Sequence, residues 1–240
     1  MSYRLEQVVP WGRSFEEYVA MFGLSDADLR RPMIGCADGP AAFNSELTRR
    51  GGRVVSVDPL YRFSADDIAA RINATYDTVM EQTRANVGEF VWNHIPSLAV
   101  LGRMRMAAMS AFLEDFPSGV AAGRYRDGQL PQLAFADRTF DLALCSHFLF
   151  LYSEHLSAEF HLQALREVCR VAGEARVFPL LELGARRSRH LTKVTQHLRA
   201  EGYQVHIEAV DYEFQKGGNE MLRLVVPDAV GAWRNDESGA

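Results

Sequence analysis

The sequence has little cysteine, no long apolar run and no excess of positive charge, and each shortage removes a class of protein. Its 240 residues include three cysteines, Cys36, Cys145 and Cys169. An odd, sparse, widely spaced set reads as reduced thiols in a cytoplasmic protein, not as a disulfide framework. No CxxC pair is present, so no metal site is expected. No stretch reaches the ~18 consecutive apolar residues of a membrane span. The opening MSYRLEQVVPWGRSFEEY carries no apolar run of signal-peptide length. The net charge of −5 argues against a general polyanion binder, because nucleic-acid affinity rests on many Lys and Arg contacts to phosphate. Neither DNA nor a membrane is an expected partner. There is no internal repeat or low-complexity tract, and residues 234–240 read as a frayed polar tail.

What is present is the balance of an ordinary globular protein, 48% hydrophobic and 24% charged. This length suits one α/β domain, with or without an embedded lobe. Residues 13–30 read as helical, with Ser14 before Glu16 and Glu17 as a capped start. A short apolar piece at 32–34 leads into GCADGP, and 41–52 reads as a helix stopped by glycine. The run 53–58, rich in β-branched residues, is a strand ending on Asp58. Residues 66–116 then break the rhythm with two long helical stretches, far more than an ordinary crossover requires. Strands are expected at 124–126, 140–145 and 175–183, although Pro179 sits awkwardly inside the last. Helices are expected at 157–171 and 192–200. Two closing strands, 203–210 and 221–226, flank GGN as a hairpin, which makes one strand antiparallel.

Ile34-Gly35-Cys36-Ala37-Asp38-Gly39 lies between a strand and a helix. Small residues there let a ligand approach the backbone, and a helix N-terminus favours an anion. Asp58, about 20 residues on, is placed to accept hydrogen bonds from ribose hydroxyls. With the segment LPQLAFADRTFDLAL and the terminal hairpin, these residues resemble the class I, Rossmann-like methyltransferases that use S-adenosylmethionine. The resemblance covers roughly 33–58 and 135–226. It implies a doubly wound, seven-stranded, mostly parallel α/β sheet with an antiparallel terminal hairpin, plus a helical insertion or lid. It also implies an N-terminal segment, 1–30, packed over the cofactor, a core of 31–60 and 119–230, and a substrate lid of 61–118.

By that resemblance the cofactor is S-adenosylmethionine, contacted by Gly35, Cys36, Ala37, Gly39, Asp58, Pro59, Leu60, Gln129, Leu130, Ser146, His147 and Phe148. Ala37 stands where the family has a middle glycine, and Met33 stands where it has an acid. Asp38 is the candidate to replace that acid. Arg13 pairs the methionine carboxylate in one reading and is a solvated helix-start arginine in the other. Tyr18, one turn on, faces the same side. Asp127 accepts from the adenine amino group or is simply the acid of a DG turn.

His147 is the candidate catalytic base, since a histidine titrating near 6.5 can take a proton from a hydroxyl or amine. The alternative is a histidine that packs on the cofactor. Cys145-Ser146-His147-Phe148 stands where methyltransferases that act on exocyclic amines of bases or on glutamine often carry Asn/Asp-Pro-Pro-Tyr, which turns the reading from DNA toward a small-molecule acceptor. Within the insertion, Tyr61, Tyr76, Phe90, Trp92, His94 and the methionines of 104–109 supply apolar surface, and Arg103 and Arg105 are candidates for an acidic group on the acceptor. Most of them are better read as core of the lobe than as ligands, since aromatics and methionines at helical spacing usually pack. Cys36 and Cys145 are better read as buried small hydrophobes than as a thiol site.

Two other functions stay open: a non-catalytic adenosyl-ligand binder of the same fold, and an NAD(P)-dependent oxidoreductase. The dinucleotide fingerprint needs G-x-G-x-x-G, where this chain has Ala37 and Pro40. Pro40 removes an N–H that would face a phosphate. The sequence specifies no oligomeric state.

Overall fold

The computed structural model describes residues 9–227. The expected polar tail at 234–240, and the outer ends of the expected 1–30 and 119–230 segments, lie outside the described residues.

The first helix, α1 (Phe15–Phe22), begins at a reciprocal cap in which Ser14 and Glu17 satisfy each other's backbone N–H. It stops at Gly23, whose left-handed backbone closes the helix. The helical reading of 13–30, with a short second turn opened by Ser25, resolves into α1 and a separate 3-10 turn at Asp28–Arg30. Strand β1 (Pro32–Cys36), helix α2 (Phe43–Arg49) and strand β2 (Arg53–Val57) follow as expected.

The insertion is two long helices. α3 (Ala65–Ala85) starts at a Ser64–Asp67 capping box, and α4 (Leu98–Ala121) starts at Ser97. α4 packs on α3 and α2 and reaches β3 (Tyr125–Arg126). After it come β4 (Phe140–Ser146), α5 (Ala158–Val171) and β5 (Ala172–Phe178).

The strand expected over 175–183 is split by Pro179, which lacks the N–H that the ladder needs. β5 ends at Phe178, and β6 (Leu181–Glu182) instead pairs with β7 (Arg186–Arg187) in a small separate ribbon. Helix α6 (Leu191–Ala200) leads to β8 (Gln204–Ala209) and β9 (Glu220–Val225), which are antiparallel. GGN is not a tight turn between them. It closes a longer connection, 210–219, that carries Tyr212 and Phe214.

The seven-stranded sheet has the order β3-β2-β1-β4-β5-β9-β8, with β9 alone running against its neighbours. This is the doubly wound sheet with an antiparallel terminal hairpin that the sequence resemblance implies. One face is sealed by α5 and α6 through a core that includes Ile34, Ala143, Leu165 and Val194. The other is covered by α1 and α2 through Phe22, Met33, Phe43 and Leu144. Strand β4 is buried at every position except Asp141, as a central parallel strand requires. Among the described residues, no helix is long and apolar enough to cross a membrane.

Candidate functional site

The winding direction reverses between β1 and β4, which are hydrogen-bonded neighbours reached by connections running opposite ways. Open α/β sheets bind ligands in the crevice outside the carboxyl ends of strands at such a point. Here that crevice is a cavity of about 760 Å³, within the ordinary range of ~300–1,000 Å³ for small-molecule sites.

Three strand ends shape its floor. Beyond β1, Ala37 and Gly39 both have positive φ, 56° and 54°. Asp38 between them turns its carboxylate back over Gly35, where a Cβ would lie 1.9 Å from Oδ2; glycine is needed at that position to admit the carboxylate. A Cβ on Gly39 would meet nothing within 4 Å, so the space above the turn is open to a ligand. Beyond β2, Asp58 accepts from Leu60 N at 2.8 Å and from Gly39 N at 2.9 Å. Each of its carboxylate oxygens keeps a lone pair for a further donor. Beyond β4, His147 has φ 52° and its N–H donates to the Phe178 carbonyl at 2.6 Å. Backbone strain of this kind in non-glycine residues gathers at functional sites.

The charges around the cavity are buried and unequally matched. Arg105, from α4, forms two hydrogen bonds to Glu17 of α1, at 2.5 and 2.7 Å. Tyr212, from the β8–β9 connection, donates to Glu17 Oε1 at 2.8 Å. One carboxylate thus ties the N-terminal segment, the insertion and the hairpin connection together. Arg13 lines the same cavity. It donates to the Trp11 carbonyl at 2.7 Å, and its Nε is buried with no partner among the described residues. Burial and the neighbouring Arg105 lower its pKa. Arg105 has Glu17 as its partner, while among the described residues Arg13 has no ion pair, so this wall has room for one more anion.

Asp38 accepts from Tyr18 Oη at 2.8 Å and from Ser56 Oγ at 2.6 Å. Burial raises its pKa to about 6 against the pull of those hydroxyls, and the nearby Asp58 adds to the rise. Burial likewise raises Asp58, opposed by the Leu60 and Gly39 N–H groups. The His147 ring stands 2.8 Å from Ser146 Oγ. Burial, then the charges of Arg13 and Arg105, push it well below 6.5. The expectation of a base titrating near 6.5 is corrected: this imidazole is neutral at physiological pH.

Of the residues singled out by sequence, Arg13, Ala37, Gly39, Asp58, Pro59, Leu60, Gln129, Leu130, Ser146, His147 and Phe148 all line the cavity. Gly35 and Cys36 do not: Gly35 lies under Asp38, and the Cys36 side chain is fully buried in the core between sheet and helices. Asp127 is turned outward, 3.3 Å from Arg62. Arg105 meets an acidic group, but the acid is Glu17 of the chain itself. From the insertion, Phe90 reaches the cavity, whereas Tyr76 packs on Trp11 and Trp92 on Phe90 and Phe214. Arg103 is exposed. Glu17, Ser56, Tyr152, Leu183, Tyr212 and Phe214 were not foreseen. They come from elements remote in sequence, and the local signals that include Glu17 and Ser56, a helix cap and a strand, do not point to the site. Among the described residues no three His, Cys, Asp or Glu side chains are grouped to hold a metal.

No known family model matches the chain. It is 31% identical over 219 residues to the uncharacterized protein MJ0045 of Methanocaldococcus jannaschii, covering 91% of this chain and 96% of that one. Among solved structures it is similar to a magnesium protoporphyrin IX methyltransferase of Synechocystis PCC 6803 with bound SAM, at 12% identity and a TM-score of 0.47, covering 89% of this chain and 78% of that one. It is also similar to a SAM-dependent methyltransferase of Aquifex aeolicus, at 13% identity and a TM-score of 0.45, covering 89% of each. The strand order, not these slight likenesses, establishes the fold.

Proposed function

The chain belongs to one family with the Methanocaldococcus jannaschii protein MJ0045, and from its site we propose that it is a cytoplasmic S-adenosylmethionine-dependent methyltransferase acting on a small-molecule acceptor. The observation that carries this reading is the convergence, on one cavity at the switch point, of the open Gly39 turn, the Asp58 carboxylate and the orphaned Arg13 Nε. Those three features match the ribose hydroxyls and the carboxylate of one adenosyl amino acid. A dinucleotide would need phosphate donors at the turn, where Pro40 offers none.

In this reading Asp58 accepts from the ribose, and Arg13 neutralises the methionine carboxylate, which cancels the surplus positive charge of the wall. Gln129, Leu130 and Leu60 receive the adenine. When bound, the cofactor supplies a methyl group activated by a sulfonium. The chain positions the acceptor against it and excludes water. Phe90, Leu151, Tyr152, Leu183 and Phe214 form an apolar cluster on the acceptor side. Positioning and desolvation supply much of the rate of such an in-line displacement. The insertion and the N-terminal segment act as the cover, joined through Glu17.

Calorimetry with S-adenosylmethionine, S-adenosylhomocysteine and NAD tests the cofactor, and radiolabelled methyl transfer into a metabolite extract tests the reaction. Failure of both adenosyl compounds to bind would sink the proposal. Binding without transfer would leave an adenosyl-ligand binder.

A further inference from the structure

The cavity is divided by charge. Its charged lining residues are Arg13, Asp38, Asp58, Arg62 and Arg71. Four of these stand beyond β1 and β2. Asp38 and Asp58 follow those strands, Arg62 closes the 3-10 turn after β2, and the Arg71 guanidinium lies 3.9 Å over the Phe63 ring that comes next. Arg13 precedes α1 and is taken by the methionine carboxylate in the reading above. The lining that follows β4 and β5 carries no carboxylate, ammonium or guanidinium, and neither does the lining from the β8–β9 connection. That connection enters β9 beside the carboxyl end of β5. The polar groups offered on this side include a neutral imidazole, a hydroxyl and an amide, from His147, Tyr152 and Gln215.

The charges that do line the cavity are already occupied. Asp38 holds the Tyr18 and Ser56 hydroxyls, Asp58 faces the ribose in the reading above, and Arg62 pairs with Asp127 at 3.3 Å. The arginines of the insertion add nothing, since Arg105 is bound to Glu17 and Arg103 is exposed. A carboxylate or phosphate on the acceptor would therefore be buried without a counter-charge, a cost that nothing on that side offsets.

The same side is aromatic. Phe90 of the insertion and Phe214 of the β8–β9 connection stack with centroids 4.8 Å apart, and Trp92 meets Phe214 edge-on at 5.6 Å. Phe148, after β4, meets Phe160 of α5 edge-on at 6.2 Å. Phe148, Phe160 and Phe214 line the cavity and stay only half-buried despite these contacts. Each keeps apolar surface that a ligand can cover. A ring placed offset or edge-on against such surfaces gains quadrupole attraction beyond the area it buries, which a saturated chain does not.

We propose that the acceptor is an uncharged compound built on an aromatic ring, seated beyond β4 and β5 against Phe90, Phe148 and Phe214, with the atom to be methylated turned toward β1 and the cofactor. The proposal rests on the methyl-transfer reading. It divides the cavity into a charged half for the adenosyl amino acid and an uncharged, aromatic half for its partner.

The test is calorimetry on the full chain saturated with S-adenosylhomocysteine, with three probes of one shape: 2-naphthol, its carboxylate analogue 2-naphthoate, and the saturated decahydro-2-naphthol. At pH 7 naphthol should bind at least about tenfold more tightly than either of the others. Phe214→Leu keeps an apolar side chain and removes the ring. It should erase most of the preference for naphthol over the saturated compound and leave the affinity for S-adenosylhomocysteine unchanged. Naphthoate or the saturated compound bound as tightly as naphthol, no binding of naphthol, or a preference unmoved by Phe214→Leu would overturn the proposal. Absence of S-adenosylhomocysteine binding would overturn the methyl-transfer reading instead. The order of the three probes on the free chain would then still decide whether the uncharged half takes a neutral ring.

Discussion

Toward the amino ends of β1 and β5, Glu174 accepts from Arg31, Arg176 and Arg223, at 3.2, 2.8 and 2.8 Å, while at the carboxyl ends of β1 and β4 the Nε of Arg13 has no partner among the described residues. At the first end Arg176 also binds Asp28 and the Phe22 carbonyl that closes α1, a cation where a helix C-terminus favours one. Asp28 falls to about 2, because hydrogen bonds from Ser25, then Arg176 and Arg31, outweigh the burial that opposes them. At the second end two carboxylates, Asp38 and Asp58, are raised instead. The same residue types thus serve opposite purposes. Where every donor meets an acceptor, the charges hold elements together. Where a donor is left over and carboxylates crowd one another, the chain keeps a site that a charged ligand completes.

The largest effect expected from breaking this contrast is at the saturated end. Glu174→Ala leaves buried Arg176 short of its acceptor and should cost about 3 kcal/mol, the scale of breaking a buried ion pair by removing one partner. Urea denaturation would measure it. A loss below ~1 kcal/mol would show that the arginines find other acceptors. Next is the acid response. Asp38 binds its proton more tightly folded than unfolded, so its contribution to stability is full below the unfolded value near 3.8 and is lost as pH rises through about 6. Asp28 runs the other way: its contribution is present above 3.8 and is lost as pH falls toward 2. Asp38→Asn should therefore gain stability relative to wild type, on the order of 2 kcal/mol, between pH 4 and pH 7. An unchanged difference across that range would contradict the burial argument.

Two substitutions then sharpen the contrast at the cavity. Asp58→Ala should weaken S-adenosylmethionine binding more than tenfold, about 1.4 kcal/mol, and an unchanged affinity in the folded variant would contradict the proposed ribose contact. Arg13→Met should weaken the same binding to a similar degree while leaving the free chain equally stable, within about 1 kcal/mol, because the side chain it replaces lacks a full set of partners. A large loss of stability with intact binding would reverse the assignment of Arg13 to the ligand.

Much of this was legible in the sequence because it is local. The β-branched run before Asp58, the capped start at Ser14, and the glycine turn before α2 each follow from neighbours in the chain. So does the placement of Asp58 at the cavity, since a strand end and a glycine turn some 20 residues apart become adjacent whenever the two strands pair in parallel. Other features were misjudged because a local signal was weak or ambiguous. Pro179 inside an apolar run marks the end of β5, and GGN closes a longer connection between β8 and β9 where a tight turn was expected.

The partners of Arg105 and the state of His147 belong to tertiary structure alone. Glu17, Arg105 and Tyr212 lie on three elements spread across the chain, and only their packing decides that the arginine meets an internal acid and not a ligand. Burial and two guanidinium groups set the proton affinity of His147, and no motif carries either. The sequence by itself determined most strands of the sheet and the turn after β1, because periodicity and turn chemistry act over a few residues. Which charges are paired there, and which are left for a ligand, the tertiary structure decided, because electrostatic pairing depends on distance and burial between residues far apart in the chain.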